Sequence, residues 1–188
     1  QPDRVCVWND IQKREAVDLH GVSADRVVVT GAARFDEFFD LRPSTTREEF
    51  CAAVGLDPAR PLLLYGCSSP FVAPREVEFV RRWIEEIRQS TDPALAGASL
   101  LVRPHPVHTE QWENVSFADL PNVAIWRLPT SMNADQGLHD SLHHSAALVG
   151  LNTSAMHEAA IAERAGGSRL GRGFTGGRGT TDHVPCNR

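Results

Sequence analysis

Short apolar runs alternate along the chain with longer stretches in which apolar residues recur every three or four positions. A short continuous apolar run is typical of a buried strand, and the longer period is typical of an amphipathic helix. The runs predict strands over residues 4–8, 26–30, 62–65, 99–102, 122–126 and 146–151. The periodic stretches predict helices over residues 10–20, 47–54, 75–89, 138–145 and 154–164.

The order of these elements indicates the fold class. Strands that alternate with helices predict an α/β protein with a Rossmann-like parallel sheet and helices on both faces. Residues 1–40 form a short β-α-β unit that we interpret as the remnant of a preceding domain. Residues 41–61, which are rich in Pro, Ser and Thr, are predicted to be a linker. Residues 62–165 are predicted to form the Rossmann-like domain.

Two local features complete the predicted organisation. Ser44 or Thr45 is the expected N-cap of the helix over 47–54. Residues 166–188 are rich in Gly, Arg and Thr and nearly lack apolar residues, so we expect a disordered or aberrant tail. We find no strand pattern after the helix over 154–164, although an α/β domain normally continues with one.

Composition narrows the class of protein. The chain is 41% hydrophobic and 23% charged, as in an ordinary soluble globular protein. The net charge of -5 argues against a nucleic-acid-binding surface, which would show clustered Lys and Arg. The four scattered cysteines argue against a zinc site and fit a reducing cytoplasm. No apolar run reaches the roughly 18 residues of a membrane span. Because the chain begins with Gln1, we expect a fragment of a longer protein.

The end of the sixth predicted strand carries the strongest chemical signal. Asn152, Thr153 and Ser154 follow this strand and precede a helix, whose N-terminal N–H groups attract anions. We predict that these residues bind a phosphate, and helix capping by Thr153 or Ser154 is the simpler alternative. Glu158 shares a helix face with Ser154, so its carboxylate is predicted to bind ribose hydroxyls. The alternative is a solvated carboxylate or a pair with Arg164.

A second strand end offers a cation and an imidazole. Arg103 and His105 follow the strand over 99–102, and prolines on both sides of His105 restrict the backbone φ. A guanidinium in a stiff turn suits a diphosphate, because its fork of N–H donors matches phosphate oxygens. We therefore predict that Arg103 and His105 act on a diphosphate. The alternative is an arginine that ties loops together through a carboxylate and a histidine that is satisfied by packing.

The strand over 62–65 also ends in small polar residues. Ser68 and Ser69 follow it, and small residues at such a point let backbone N–H groups approach a ligand. An ordinary turn before Pro70 is an equally good interpretation. No Walker A and no GxGxxG sequence occurs, so the usual motifs of nucleotide hydrolases and dinucleotide-binding proteins are absent.

Two further clusters give weaker signals. Residues 31–36 follow a strand and are a weak candidate for the wall of a cleft. His139, His143 and His144 lie close together in the sequence, but the glutamate of a metalloprotease motif and a third ligand are both missing. We therefore predict no metal site.

Three motifs together resemble a known family. They are residues 28–31 (Val-Val-Thr-Gly), residues 103–106 (Arg-Pro-His-Pro), and residues 147–154 leading into Glu158 and Ala159. In their order and spacing, residues 1–165 are similar to the C-terminal half of GT-B-type glycosyltransferases. Related families are the UDP-N-acetylglucosamine 2-epimerases and the CDP-glycerol glycerophosphotransferases.

The resemblance implies two facing Rossmann-like domains, with a nucleotide-linked donor held mainly by the C-terminal one. It implies that Arg103 and His105 lie near the donor diphosphate, that Thr153 and Ser154 bind phosphate, and that Glu158 binds the ribose. It also implies no bound metal or other cofactor, because protein groups stabilise the leaving diphosphate.

This sequence departs from the family in two places. The N-terminal domain, which would bring the acceptor and the usual catalytic base, is nearly all missing. The Gly-Arg/Lys-Pro segment expected after the Glu158 helix is replaced by residues 163–166 (Glu-Arg-Ala-Gly). The fragment alone is therefore expected to be inactive.

The leading hypothesis is the donor-binding part of a glycosyltransferase-like enzyme that transfers a sugar or polyol phosphate from a nucleotide-linked donor. One alternative is a nucleotide-sugar epimerase in which His105 does acid–base work. Another is a noncatalytic binding or scaffold domain. The leading hypothesis requires the Arg103 guanidinium and the hydroxyls of Thr153 and Ser154 to converge on one hollow. The sequence identifies neither the nucleotide base nor the acceptor.

Overall fold

The computed structural model describes residues 2–107, 109–127 and 133–162, together with the backbone of residues 165–168. The chain divides into two compact units, Gln1–Asp40 and Leu41–Arg188. Each unit has its own parallel sheet. None of the helices in these ranges is both long and apolar enough to cross a lipid bilayer.

The first unit is a β-α-β structure followed by a short helix. Its elements are β1 (Val5–Val7), α1 (Asp10–Asp18), β2 (Val27–Val29) and α2 (Asp36–Asp40). The two strands pair in parallel, so the predicted β-α-β arrangement is present. Its buried core consists of Val7, Ala16 and Val27, one residue from each of β1, α1 and β2. Helix α1 therefore covers one face of this small sheet.

The second unit contains a five-stranded parallel sheet. Its strands are β3 (Leu62–Gly66), β4 (Ser99–Arg103), β5 (Val123–Ile125), β6 (Ala147–Gly150) and β7 (Ala165–Ser168). Its helices are α3 (Arg47–Val54), α4 (Glu76–Arg88), α5 (Pro93–Ala96), α6 (Ala134–His143) and α7 (Ala155–Ile161). The strands lie in the order β5-β4-β3-β6-β7, and every pair is parallel. The predicted α/β class with a Rossmann-like sheet is confirmed.

Helix α4 covers one face of this sheet. Val80, Trp83 and Ile84 of α4 are buried, as the periodic pattern of the sequence predicts. They pack in one apolar cluster with Leu100 and Val102 of β4. Full burial of a large apolar side chain contributes about 1.5–3 kcal/mol, so this cluster anchors β4 in the sheet.

Helix α6 covers the opposite face. Leu101 and Arg103 alternate with the residues that face α4, so their side chains point to the other side of the sheet. The Arg103 guanidinium reaches α6, and Leu142 of that helix is fully buried. Helices therefore lie on both faces of the sheet, as the sequence predicts.

The helix predicted within residues 41–61 is α3, but its cap differs from the expected one. Thr46 Oγ1 accepts a hydrogen bond from Glu49 N at 3.2 Å, and the Glu49 carboxylate accepts one from Thr46 N at 2.8 Å. This capping box satisfies two N-terminal N–H groups. The expectation that Ser44 or Thr45 is the cap is wrong, because both residues have other partners. Ser44 N donates to the Asp140 carboxylate of α6 at 3.0 Å, and Thr45 contacts His144, which directly follows α6. The linker role of this segment stays a prediction.

The sequence pattern does not predict β7. This strand pairs in parallel with β6, with Ala147 opposite Ala165 and Gly150 opposite Ser168. The expectation of no strand after α7 is therefore wrong. The Gly166-Gly167 pair carries no strand pattern, yet backbone pairing with β6 needs no apolar side chain. The rest of the predicted tail, residues 169–188, lies outside the described residues.

Candidate functional site

The carboxyl ends of β3, β4 and β6 meet at one edge of the sheet, which we call the strand-end edge. Cys67 N donates a hydrogen bond to Arg103 O at 3.0 Å and joins the turns after β3 and β4. Asn152 N donates to Ser68 Oγ at 3.4 Å and joins the turns after β3 and β6. The strand order reverses between β3 and β6, and open α/β sheets bind ligands at such a reversal. The strand-end edge is therefore the candidate site.

Gly150 allows the ends of β3 and β6 to come this close. A Cβ on Gly150 would lie 2.8 Å from Gly66 O and 2.9 Å from Thr153 Cγ2. Both distances are shorter than real Cβ contacts, and the first is to backbone, which cannot turn aside as a flexible side chain can. A side chain at position 150 would therefore move β6 away from β3.

The turn between β6 and α7 carries the three residues that are predicted to bind phosphate. Asn152 and Ser154 are exposed, and Thr153 is half-buried. Thr153 Oγ1 accepts a hydrogen bond from Ala155 N at 3.4 Å, which is a weak form of the expected capping. Ser154 occupies the N-cap position, but its side chain makes no capping hydrogen bond. Ser154 is therefore not the capping side chain, and its hydroxyl lies at the surface of the strand-end edge.

Glu158 lies one turn into α7 and is buried, with 3% of its surface exposed. The alternative of a solvated surface carboxylate is therefore wrong. The other predicted partner, Arg164, lies outside the described residues. The ribose contact of Glu158 stays a prediction, and it would require the ligand to reach a side chain that is almost entirely covered.

The Arg103 guanidinium binds α6. Nη1 donates to Gly137 O and to Ser141 Oγ, both at 2.9 Å, and Nη2 donates to Ala134 O at 3.2 Å. The guanidinium carbon lies 5.4 Å from the centre of the Trp126 ring. Burial lowers the pKa of Arg103 to about 10, so the group stays protonated at neutral pH. Arg103 thus ties the end of β4 to a helix through backbone carbonyls and a hydroxyl, whereas the alternative interpretation expected a carboxylate. Its contact with a diphosphate stays a prediction.

His105 is half-buried in the turn after β4. Its Nδ1 accepts a hydrogen bond from Val107 N at 3.3 Å. A neutral imidazole whose Nδ1 is the acceptor carries its proton on Nε2, so Nε2 is the donor of the ring. This hydrogen bond favours the Nε2–H tautomer of the neutral ring.

A buried carboxylate that the sequence analysis does not single out lies behind the turn after β3. Ser68 N lies 3.0 Å from Oε1 and 2.9 Å from Oε2 of Glu76. Tyr65 OH donates to Oε1 at 3.1 Å. Burial raises the pKa of Glu76 to about 7, although hydrogen bonds from Ser68 and Tyr65 lower it. The Ser68 N–H therefore donates to a buried carboxylate. Ser69 O accepts a hydrogen bond from Val72 N at 3.0 Å, as in an ordinary turn.

The sequence offers only a partial signal for Glu76. A glutamate in the first turn of a helix is favoured by the positive end of the helix dipole, so its presence there is unremarkable. Its complete burial depends on the packing of α4 against β3, which no local pattern reveals. Contacts between residues that are distant in the sequence are visible only in the structure.

The remaining candidates are the histidine cluster and residues 31–36. The rings of His143 and His144 lie 5.0 Å apart, and His144 Nε2 lies 3.0 Å from Thr45 O. Among the described residues, no three His, Cys, Asp or Glu side chains are grouped to hold a metal ion. Residues 31–36 contain a short 3-10 turn, Ala33–Phe35, in the first unit.

Comparison with known proteins yields matches among solved structures. No protein-family model and no curated protein matches the sequence. The UDP-GlcNAc 2-epimerase from Methanocaldococcus jannaschii matches with a TM-score of 0.57 at 12% identity, over 87% of this chain and 45% of that chain. The same enzyme in complex with UDP-GlcNAc and UDP matches with a TM-score of 0.60 at 11% identity, over 87% and 44%. The UDP-N-acetylglucosamine 2-epimerase from Rickettsia bellii gives 0.53 at 13% identity, over 87% and 41%.

These matches establish the fold. The chain has a GT-B-like fold, as the resemblance of its motifs implies. At identities of 11–13% the likeness concerns the fold alone. The chain spans less than half the length of these enzymes, with coverage of 41–45%.

Proposed function

We propose that the second unit is the donor-binding half of a glycosyltransferase-like enzyme that transfers a sugar or polyol phosphate from a nucleotide-linked donor. The reversal of strand order between β3 and β6 carries this proposal, because polar turns of both strands are joined at that point. A solved structure with the same fold holds UDP-GlcNAc and UDP. A nucleotide sugar is therefore the ligand class that we propose. We also propose a cytoplasmic location, which the scattered cysteines support.

The β6–α7 turn supplies the proposed phosphate ligands. Ser154 has an exposed hydroxyl without a capping bond, and Asn152 beside it is also exposed. Thr153 is half-buried between them and contacts α7 through its Oγ1. We assign the phosphate contacts to these three residues and the ribose contact to Glu158.

His105 and Arg103 are the proposed stabilisers of the leaving group. His105 Nδ1 accepts from Val107 N, so Nε2–H is the group that would donate to a phosphate oxygen as the bond to the sugar or polyol phosphate breaks. Arg103 uses its N–H groups to hold α6 and keeps its positive charge beside the same turn. Its electrostatic contribution is therefore long-range and does not depend on a direct contact.

Calorimetric titration of the 188-residue chain tests the binding half of this proposal. UDP-, CDP- and GDP-linked sugars are titrated separately, and circular dichroism confirms that the chain is folded. We expect saturable binding of one nucleotide class. A folded chain that binds none of them at millimolar concentration overturns the proposal and supports a noncatalytic scaffold.

A nucleotide-sugar epimerase is the second candidate, because the matching structures with TM-scores of 0.53–0.60 are UDP-GlcNAc 2-epimerases. In that reaction His105 would act as an acid or base. Product analysis with a form of the protein as long as those enzymes separates the two. An epimer formed without any acceptor supports the epimerase, whereas a product that requires an acceptor supports the transferase.

A further inference from the structure

A carboxylate is buried directly behind the strand-end edge. Glu76 opens α4 and has 0% of its surface exposed. Both of its oxygens lie within hydrogen-bond distance of Ser68 N, and Oε1 also accepts from Tyr65 OH. Burying a carboxylate is strongly unfavourable, and an apolar residue of similar size would fill the same space without that cost. The choice of an acid here therefore requires an explanation other than packing.

Ser68 connects this carboxylate to β6. Its backbone N–H donates to the Glu76 carboxylate at 2.9–3.0 Å. Its Oγ also accepts from Asn152 N at 3.4 Å, and the whole residue is 1% exposed. A chain of hydrogen bonds thus runs from Glu76 through Ser68 to Asn152. It crosses the sheet where the strand order reverses, which is the point where a ligand is expected.

We infer that Glu76 is a positioning residue of the donor site, which holds the turn after β3 and, through Ser68, holds Asn152 at the start of the phosphate-binding turn. This inference rests on the proposed function. Glu76 does not contact the donor, because its side chain is fully buried. An ionised carboxylate only accepts hydrogen bonds, which suits the donors of Ser68 and Tyr65, whereas the protonated acid must donate one itself. Protonation therefore loosens the turn and displaces Asn152.

The unliganded wild-type chain tests the connection without any substitution. The backbone amide resonances of Ser68 and Asn152 are followed in a 15N-labelled chain between about pH 5.5 and about pH 8.5. The titratable groups that interact with this carboxylate are the Tyr65 phenol and the Cys67 thiol. Burial raises the pKa of both groups, so neither ionises in this pH range. We expect both amides to titrate with one midpoint near pH 7. Amides that do not respond, or that respond with different midpoints, overturn the inference.

Substitutions then test whether the hydrogen-bond chain from Glu76 to Asn152 affects the binding of the donor. Glu76→Leu removes the charge and every hydrogen bond, Glu76→Gln keeps one acceptor oxygen, and Glu78→Leu changes an exposed acid of the same helix. We expect Glu76→Leu to abolish the Asn152 titration and to weaken UDP binding roughly tenfold at pH 8, with no loss of melting temperature. Glu76→Gln, whose amide N–H2 resembles the O–H of the protonated acid, should abolish the titration and should bind UDP at every pH as weakly as the wild type does near pH 5.5. Glu78→Leu should change neither.

The outcomes separate this inference from the proposed function. If the wild-type chain binds no UDP, CDP or GDP, the proposed function fails, and the amide titration still decides whether Glu76 holds Asn152. If the wild-type chain binds UDP and Glu76→Leu binds it within twofold of that affinity, the positioning role is wrong while the proposed function stands. If Glu76→Leu does not fold, the pH dependence of UDP binding decides the same question. Wild type should lose affinity between about pH 8 and about pH 5.5, and Glu76→Gln should not. Equal pH dependence in the two chains overturns the positioning role.

Discussion

The backbone carbonyl of Gly66 and the α-carbon of Gly150 meet so closely that a Cβ at position 150 would lie 2.8 Å from the Gly66 oxygen. This contact sets the spacing between the ends of β3 and β6, where the strand order reverses. The same added atom would lie 2.9 Å from Thr153 Cγ2. The shape of the proposed phosphate-binding turn therefore depends on the absence of a side chain at Gly150.

We expect Gly150→Ala to lower the free energy of unfolding by about 1–3 kcal/mol, which is the usual cost of overpacking. The added methyl group should also displace Thr153 and weaken nucleotide binding. Urea denaturation measures the first effect, and calorimetric titration with UDP measures the second. An alanine variant with wild-type stability and wild-type affinity would show that β6 shifts at no cost, contrary to this account.

We expect Ser154→Ala to separate binding from stability. The Ser154 side chain makes no capping hydrogen bond, so its removal should change the free energy of unfolding by less than about 0.5 kcal/mol. If the hydroxyl binds a phosphate, the same variant should weaken UDP affinity several-fold. A loss of about 1 kcal/mol in stability would instead indicate that Ser154 is a true cap. Ala160→Ser, at an exposed position of α7, serves as the control.

We expect Arg103→Gln to lower the free energy of unfolding by about 2–4 kcal/mol, because α6 loses hydrogen bonds from a charged donor to Gly137 and Ser141. Arg81→Gln is the matched control. The ion pair of Arg81 with Asp119, at 3.1 Å, is largely exposed, so its loss should cost no more than about 1 kcal/mol. Equal losses in the two variants, measured by urea denaturation, would mean that Arg103 does not hold α6.

The elements of the fold were predictable where local signals decide. The apolar run over 62–65 predicts β3, which extends one residue further to Gly66, and the run over 99–102 predicts β4, which ends at Arg103. The helical period over 75–89 contains α4. These patterns reflect burial on one or both faces, which the residue types themselves encode. The strand-end edge follows from them, because parallel strands end at the same edge.

The contacts that define the site were not predictable, because they join residues far apart in the sequence. Arg103 meets Gly137, which lies 34 residues later, and the start of α6 at Ala134 is itself missed. The Asn133 side chain caps that helix by accepting from Asp135 N at 2.9 Å, but the apolar period begins only after Gly137. The contacts of Arg103 with α6 could therefore not be predicted, because the beginning of this helix carries no apolar signal.

Glu76 makes the stability of the chain depend on pH. Burial raises its pKa from the ordinary value of 4.5 to about 7. Between these values the folded chain keeps a proton that the unfolded chain has released, so stability falls as the pH rises through this window. Above pH 7 the Glu76 carboxyl is ionised in both the folded and the unfolded chain. The total loss of stability is then on the order of 3 kcal/mol.

Glu76→Gln removes this titration, so its stability relative to wild type should increase as the pH rises from about 5 to about 8. Urea denaturation at several pH values gives the difference curve, in which the eight histidines common to both chains cancel. Asp140 does not interfere, because burial raises its pKa but the hydrogen bonds from Ser44, Gln136 and His139 together keep that pKa below the ordinary 3.8. Glu78→Gln, at an exposed position of α4, should give a flat difference curve. A flat curve for Glu76→Gln as well would mean that the Glu76 carboxylate is ionised in the folded chain throughout this range, and that its burial does not oppose folding.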